Sequence, residues 1–498
     1  MSGESVVPGA AGLRRDAIGL REVLFQSITA MAPAAAVAAS IPSGAAFAGG
    51  SLPLSVLIAL VACLFTASCV AELARELPAA GSVSTYVAQG LHPAVGFLVG
   101  WGYLFVEALI PPLLLLQLGF TTAGTLHQEW PSYPADLWWP WALAGAAIIA
   151  VSGYAGVRAS ARFGTVLGVF EVVVLVVFAV WLIGRAGGDN TLSVFGTSHT
   201  AEGYEGITGV FAGSVYTVLA FAGFEAAAPL AEETRNPRRT MHRAVLGAAL
   251  AIGLFYMLTT YAMTVYYGPD RFGEFGASGA ASWEGVARAS FGLFWVLVFL
   301  AVVNSAIANA NACANVSTRT AFALARIRVL PSFLAVLHPK YRSPVAGIAV
   351  QTAVAVGAVL GLGFAYDPVT AFLLLATVIV TVVIGVYIVV NLACAGYFLR
   401  RRREALRPVR HLLLPALGIV AFVPALLTAA GLPVFDFVSE LTAPVSYAGW
   451  VVGVWMATGL VVLVVLMRRH PRRIAETARV HFDEPSPTGL PQNGAVQR

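Results

Sequence analysis

Apolar residues come in long runs separated by short polar stretches, and the runs recur roughly every 30 to 45 residues. A helix needs about 20 apolar residues to cross a bilayer. By that rule the chain holds twelve spans, roughly 24–48, 52–72, 94–118, 137–154, 163–183, 206–228, 244–267, 291–315, 343–362, 370–398, 412–430 and 445–467. The segment 316–330 is amphipathic and is expected at a membrane surface. The pattern therefore predicts an all-α integral membrane protein. Residues 1–13 and 474–498 are mixed in charge and rich in Pro, Gly and Ser, and they read as solvated cytoplasmic tails around one transmembrane domain, residues 14–473.

Composition agrees with lipid as the main solvent. Charged residues make up 11% and hydrophobic residues 58%, against roughly 25% charged in soluble domains, and the mean hydropathy is +0.80. The net charge of +5 sets topology, because the basic residues cluster between spans. With both termini cytoplasmic, 27 of the 30 Lys and Arg fall inside; Arg185, Arg271 and Arg288 fall outside. One miscounted span would invert everything after it, so the split supports both count and orientation; the plasma membrane is the expected location. Basic and aromatic residues do not interleave, which argues against nucleic acid as a partner. The run Arg400–Arg403 is a candidate contact for anionic membrane lipid.

The first and sixth spans contain breaks. Pro33 cannot donate to the preceding turn, so the helix should open near Ala30–Ala32. In the sixth span Gly223 is followed by Glu225 and Pro229. The breaks lie five spans apart, as an inverted five-plus-five repeat requires, with spans eleven and twelve outside it. Half-helix ends at such breaks expose backbone N–H groups that favour a carboxylate.

Three carboxylates fall within spans: Glu107, Glu171 and Glu225. An ionisable group at mid-bilayer costs at least about 2.5–3.5 kcal/mol and marks a functional position by default. The alternative is a carboxyl that only hydrogen-bonds between helices. The eighth span is also polar, with Asn304, Ser305, Asn309, Asn311 and Asn315. Asn304, Asn311 and Asn315 share one face, and interhelical bonding would account for them. The four cysteines form no CxxC pair, and the histidines form no metal-ligand pattern, so no metal or cofactor is indicated. No phosphate-binding GxxxxGK[ST] is present, and no His/Asp/Glu cluster sits at a membrane face as a membrane enzyme would need.

Four segments, in order, resemble the amino acid–polyamine–organocation permeases. They are AELARELPAAGSVSTYVAQG before span three, FAGFEAAAPLAEETRNPRR through the sixth-span break, TRTAFALARIRVLPSF after span eight, and YIVVNLACAGYFLRRRRE ending span ten. Two features depart from the family pattern: Thr29-Ala30-Met31-Ala32-Pro33 replaces a Gly-rich run, and Ser82 replaces a second Gly. The resemblance implies a LeuT-type fold and a secondary transporter of amino acids or related amines, coupled to H+ or exchanging. The alternatives are a polyamine or other organocation carrier and, from another class, a channel or substrate sensor. It implies a small-molecule site at Ala30, Met31, Ala32 and Pro33, at Phe221, Ala222, Gly223, Phe224 and Glu225, and at Glu107. Glu171, Glu225, Asn304 and Ser305 are the candidates for coupling.

Overall fold

The computed structural model describes residues 19–77, 82–155, 160–226, 234, 237–277, 281–326, 329–338, 343–436, 438–469 and 474. The expected tails, and Pro229, Glu232, Glu233, Arg158 and Arg235, lie outside the described residues. No strand occurs among the described residues.

Ten helical stretches among them are long and apolar enough to cross a membrane. The stretch Val23–Glu76 covers the first two expected spans, and Trp139–Tyr154, apolar but shorter, coincides with the fourth. The other nine stretches fall one each on the remaining expected spans. In chain order the main helices are α1 (Leu20–Ala30), α2 (Pro33–Ala35), α3 (Leu52–Glu76), α4 (Ser82–Gly90), α5 (Pro93–Glu129), α6 (Trp139–Ala155) and α7 (Ser160–Ala186). They continue as α8 (Ile207–Phe221), α9 (Pro237–Tyr267), α10 (Ala281–Phe291), α11 (Trp295–Arg326), α12 (Val345–Tyr366), α13 (Pro368–Arg400), α14 (Leu414–Ala429) and α15 (Ala448–Arg469). The amphipathic segment after the eighth span is not a separate surface helix. It continues α11 without interruption to Arg326.

Burial separates inner from outer helices. Some 78% of the apolar window in α13 is buried, 72% in α8 and 67% in α5, against 22% in α12 and 17% in α15. Exposed Val354, Trp450, Val454 and Val461 are side chains that only lipid can cover. Small residues let the inner helices approach closely: a Cβ on Gly44 would lie 2.8 Å from the Gly213 carbonyl oxygen. Local capping fixes the connections. His92 Nδ1 accepts from the Ala94 N–H at 3.2 Å, with Pro93 opening α5. Asp367, at φ 72°, is the single residue between α12 and α13, and its carboxylate accepts from Val369 and Thr370.

Pro111 and Pro112 lie inside α5. Pro112 has no N–H, so the Ala108 carbonyl loses its helical partner. Gln351 of α12 supplies one, donating Nε2–H to Ala108 O at 3.0 Å while accepting from Ser317 at 2.8 Å. Gln351→Leu should leave both groups unpaired and lower stability by about 1–3 kcal/mol. A thermal melt in detergent tests this, and an unchanged midpoint would show that the bond is dispensable.

Candidate functional site

The first expected break is present. α1 ends at Ala30, Met31 and Ala32 are non-helical, and Ala32 takes left-handed angles (φ 44°, ψ 63°) before Pro33 restarts the helix. Holding a residue with a Cβ in that region is strained, and glycine would fit it better. The restarted helix passes through a π turn, Ala36–Ser40, and its first turn has no side-chain cap. The N–H groups there are those that a helix end leaves without an intrahelical partner.

The second break is also present. α8 ends at Phe221, Ala222 is extended in ψ (125°), and Gly223 has φ 116° before a single 3-10 turn over 224–226. The two breaks touch: a Cβ on Gly223 would fall 2.7 Å from Ala30 O.

The carbonyls freed by the breaks are taken up by other spans. Asn309 of α11 donates to Ala30 O at 2.9 Å. The Tyr256 hydroxyl on α9 contacts both Met31 O at 2.8 Å and Ala220 O at 3.0 Å, so one side chain ties the two breaks together. Ser27 donates to Phe224 O at 2.8 Å, and Gln117 of α5 donates to Ala35 O at 2.9 Å. Beside the breaks lies a cavity of about 50 Å³ lined by Ala30, Met31, Ala32, Ala222, Gln117 and Asn309 among others. A water needs roughly 10–15 Å³ on this measure, so the cavity has room for a few waters.

The expected site residues separate into groups. Ala30, Met31, Ala32 and Ala222 line the cavity; Pro33, Phe221, Gly223 and Phe224 do not. Glu225 is buried and turned to the far side of the break. It accepts hydrogen bonds from Tyr103 of α5, from Tyr387 of α13 at 3.0 Å and from the Gly223 N–H at 3.3 Å. Glu107 does not line the cavity. It faces Cys313 and lies within electrostatic reach of Glu225. Among the described residues, no Lys or Arg forms an ion pair with Glu107, Glu171 or Glu225.

Glu171 of α7 is buried beside Asn304 and Ser305 of α11, which brings three of the four expected coupling residues together, while Glu225 lies apart from them with Tyr103 and Tyr387. It also lies within electrostatic reach of Tyr256, so it is closer to the breaks than its helix suggested. The polar residues of α11 divide by partner. Asn304 and Ser305 serve Glu171, and Asn309 serves the break. Asn311 and Asn315 line a small crevice against α6 and α12. Tyr103, Tyr256, Tyr387 and Gln117 were not singled out from the sequence.

The amino acid permease family model matches residues 22–475. The low-affinity putrescine importer PlaP of Escherichia coli is 27% identical over 428 residues, covering 84% of this chain and 86% of that protein. The branched-chain amino acid permease BcaP of Bacillus subtilis is 24% identical over 453 residues, 86% and 88% of the two chains. The methylthioribose transporter of Bacillus subtilis is 26% identical over 317 residues, 60% and 64%.

Proposed function

The chain belongs to the amino acid permease family, and from that premise we propose that it carries amino acids or amines by alternating access around the paired breaks. The observation that carries the reading is the contact of Gly223 with Ala30, which sets two interrupted helices side by side at one cavity. The uncapped first turn at Pro33–Ala35 offers N–H groups to a substrate carboxylate. Glu225, on the other side of the break, offers negative charge to its ammonium. The breaks stand five spans apart, which fits the inverted repeat. Counterflow of labelled leucine and putrescine in proteoliposomes tests the reading. A carrier accelerates uptake when the same compound is trapped inside, and its absence for both compounds, and for other amino acids and amines, would refute it.

The amine reading is favoured by a specific observation. Glu107 and Glu225 are mutually within electrostatic reach and have no basic partner among the described residues, an arrangement suited to two ammonium groups. Excess putrescine should then block labelled uptake more strongly than excess leucine.

We assign coupling to protons through Glu171. It lies beside Asn304 and Ser305 of α11 and within electrostatic reach of the Tyr256 hydroxyl that ties both breaks. A proton gained or lost at Glu171 thereby changes the hold on both half-helices. Glu171→Gln should keep exchange without a gradient but lose accumulation driven by an inward proton gradient. Full accumulation with unchanged pH dependence would make Glu171 structural, and sodium-driven uptake in the unaltered protein would remove proton coupling altogether. We propose that both termini are cytoplasmic and that the protein sits in the cell membrane. The arginines Arg75, Arg239, Arg243 and Arg402 line one cavity of about 760 Å³ on a single face, as positive-inside topology requires.

A further inference from the structure

The short helix α10 lies across one end of the bundle, against α5 and the π turn of the first span. It is pinned to the end of α5: Arg288 donates to Gln128 O at 3.0 Å and pairs with Glu129, and a Cβ on Gly285 would lie 3.7 Å from Gln128 Oε1. Glu284 stands in the first turn of α10, where the helix dipole favours negative charge. It is 1% exposed, and neither carboxyl oxygen has a hydrogen-bond partner.

Along α5, Gln117, Thr121, Thr125 and Gln128 follow at spacings of four, four and three, which places them on one face. Gln117 lines the cavity, Thr121 and Thr125 are fully buried, and Gln128 is exposed beneath α10. The hydroxyls of Thr121 and Thr125 also lack partners. Buried polar groups are paired in the great majority of cases, and each orphan costs about 1–3 kcal/mol, a carboxylate more. Two orphaned hydroxyls thus lie on the face of α5 that runs from the cavity to the end pinned to α10, and an orphaned carboxyl lies on α10 itself. Groups left unpaired in a closed state are explained when another state of the cycle gives them partners.

We propose that Glu284, with Thr125 and Thr121, forms an entry station that binds the ammonium group of the incoming substrate when α10 lifts, before the substrate reaches the paired breaks. The carboxylate supplies the charge and the hydroxyls supply acceptors along the way down to Gln117. Lowering α10 then encloses the cation and passes it inward. This inference rests on the transport reading above. It adds a binding position that is separate from the cavity and serves one face of the protein only.

That one-sidedness is the test. The KM for labelled leucine or putrescine is measured in right-side-out and in inside-out membrane vesicles containing the full-length protein. Glu284→Gln should raise the ratio of KM at the α10 face to KM at the opposite face at least tenfold. Thr125→Val should raise the same ratio about threefold, and Glu284→Asp should restore most of the loss. An unchanged ratio in Glu284→Gln would overturn the proposal, as would a shifted pH profile at unchanged ratio, which would make Glu284 a proton carrier instead. If Glu284→Gln does not fold, an unchanged ratio in Thr125→Val overturns it equally. If the unaltered protein carries neither compound nor any other amino acid or amine, the transport reading fails and takes this inference with it. If it carries one and the ratio does not move, this inference fails alone.

Discussion

Gly223→Ala should reduce uptake at least a hundredfold, although the substitution adds one methyl group. Two costs combine. At φ 116° Gly223 holds a conformation that residues with a Cβ rarely adopt, and forcing one there costs about 1–3 kcal/mol. The new methyl would also stand 2.7 Å from Ala30 O and 2.9 Å from Ala30 C, closer than carbon atoms pack. Those contacts are backbone, so no side chain can turn aside to make room. Relief requires the two broken helices to part, which removes the arrangement that defines the site. The loss does not come from filling substrate space, because Gly223 does not line the cavity. Gly184→Ala on α7 is the control, because no heavy atom lies within 4 Å of its Cβ position. It should transport normally, since alanine favours a helix over glycine. Normal uptake by Gly223→Ala would show that the breaks are free to separate without loss.

The parts of this structure that were legible in the sequence are those encoded locally. Pro33 among crowded small residues signals a first break, and a glycine followed by an acid inside an apolar run signals a second, so both interruptions appear within a residue or two of their expected places. Spans are legible for the same reason, since length and apolarity belong to a single segment. The groups that satisfy the breaks are not local. Tyr256 reaches Met31 across 225 positions, and Asn309 reaches Ala30 across 279. A tyrosine in an apolar span looks like any other core aromatic until its partner is known, which is why Tyr103, Tyr256 and Tyr387 gave no signal. Depth and face were harder still. Glu107 and Glu225 look alike as acids within spans, yet one is held by three donors and the other faces a cysteine thiol. Glu284 lay just outside the expected eighth span, so no rule for membrane-buried charge applied to it.

The hydrogen bonds at the breaks also indicate how the site can move. In a continuous helix each carbonyl is bonded within its own segment, so motion of one span does not change the partners of another. Here Ala30, Met31, Ala220 and Phe224 depend on side chains of α11, α9 and the opposing half-helix. Any tilt of α1 relative to α9 must therefore break or exchange these bonds together. That makes the closed arrangement one discrete state rather than part of a continuum, as alternating access demands.

Glu225→Gln should weaken substrate binding about a hundredfold, and the loss should be larger for putrescine than for leucine. The carboxylate accepts three hydrogen bonds, from Tyr103, Tyr387 and the Gly223 N–H. Glutamine keeps one oxygen and turns an NH₂ toward groups that are themselves donors, so at least one phenol or N–H loses its acceptor. At about 1–3 kcal/mol for each buried orphan, and about 1.4 kcal/mol per tenfold in affinity, two such losses reach a hundredfold. The Gly223 N–H belongs to the break itself, so the damage reaches the cavity although Glu225 does not line it. Charge adds a second effect that depends on the substrate. Leucine brings a carboxylate that the helix end at Pro33 can hold without Glu225, whereas putrescine brings two ammonium groups and no anion. Tyr103→Phe and Tyr387→Phe each remove one donor while leaving the charge in place. They should cost about tenfold and affect leucine and putrescine alike. Competition binding on the purified protein measures all three variants. Equal losses for both compounds in Glu225→Gln would mean that Glu225 only braces the broken helix and does not face the ammonium. Unchanged binding would remove it from the site.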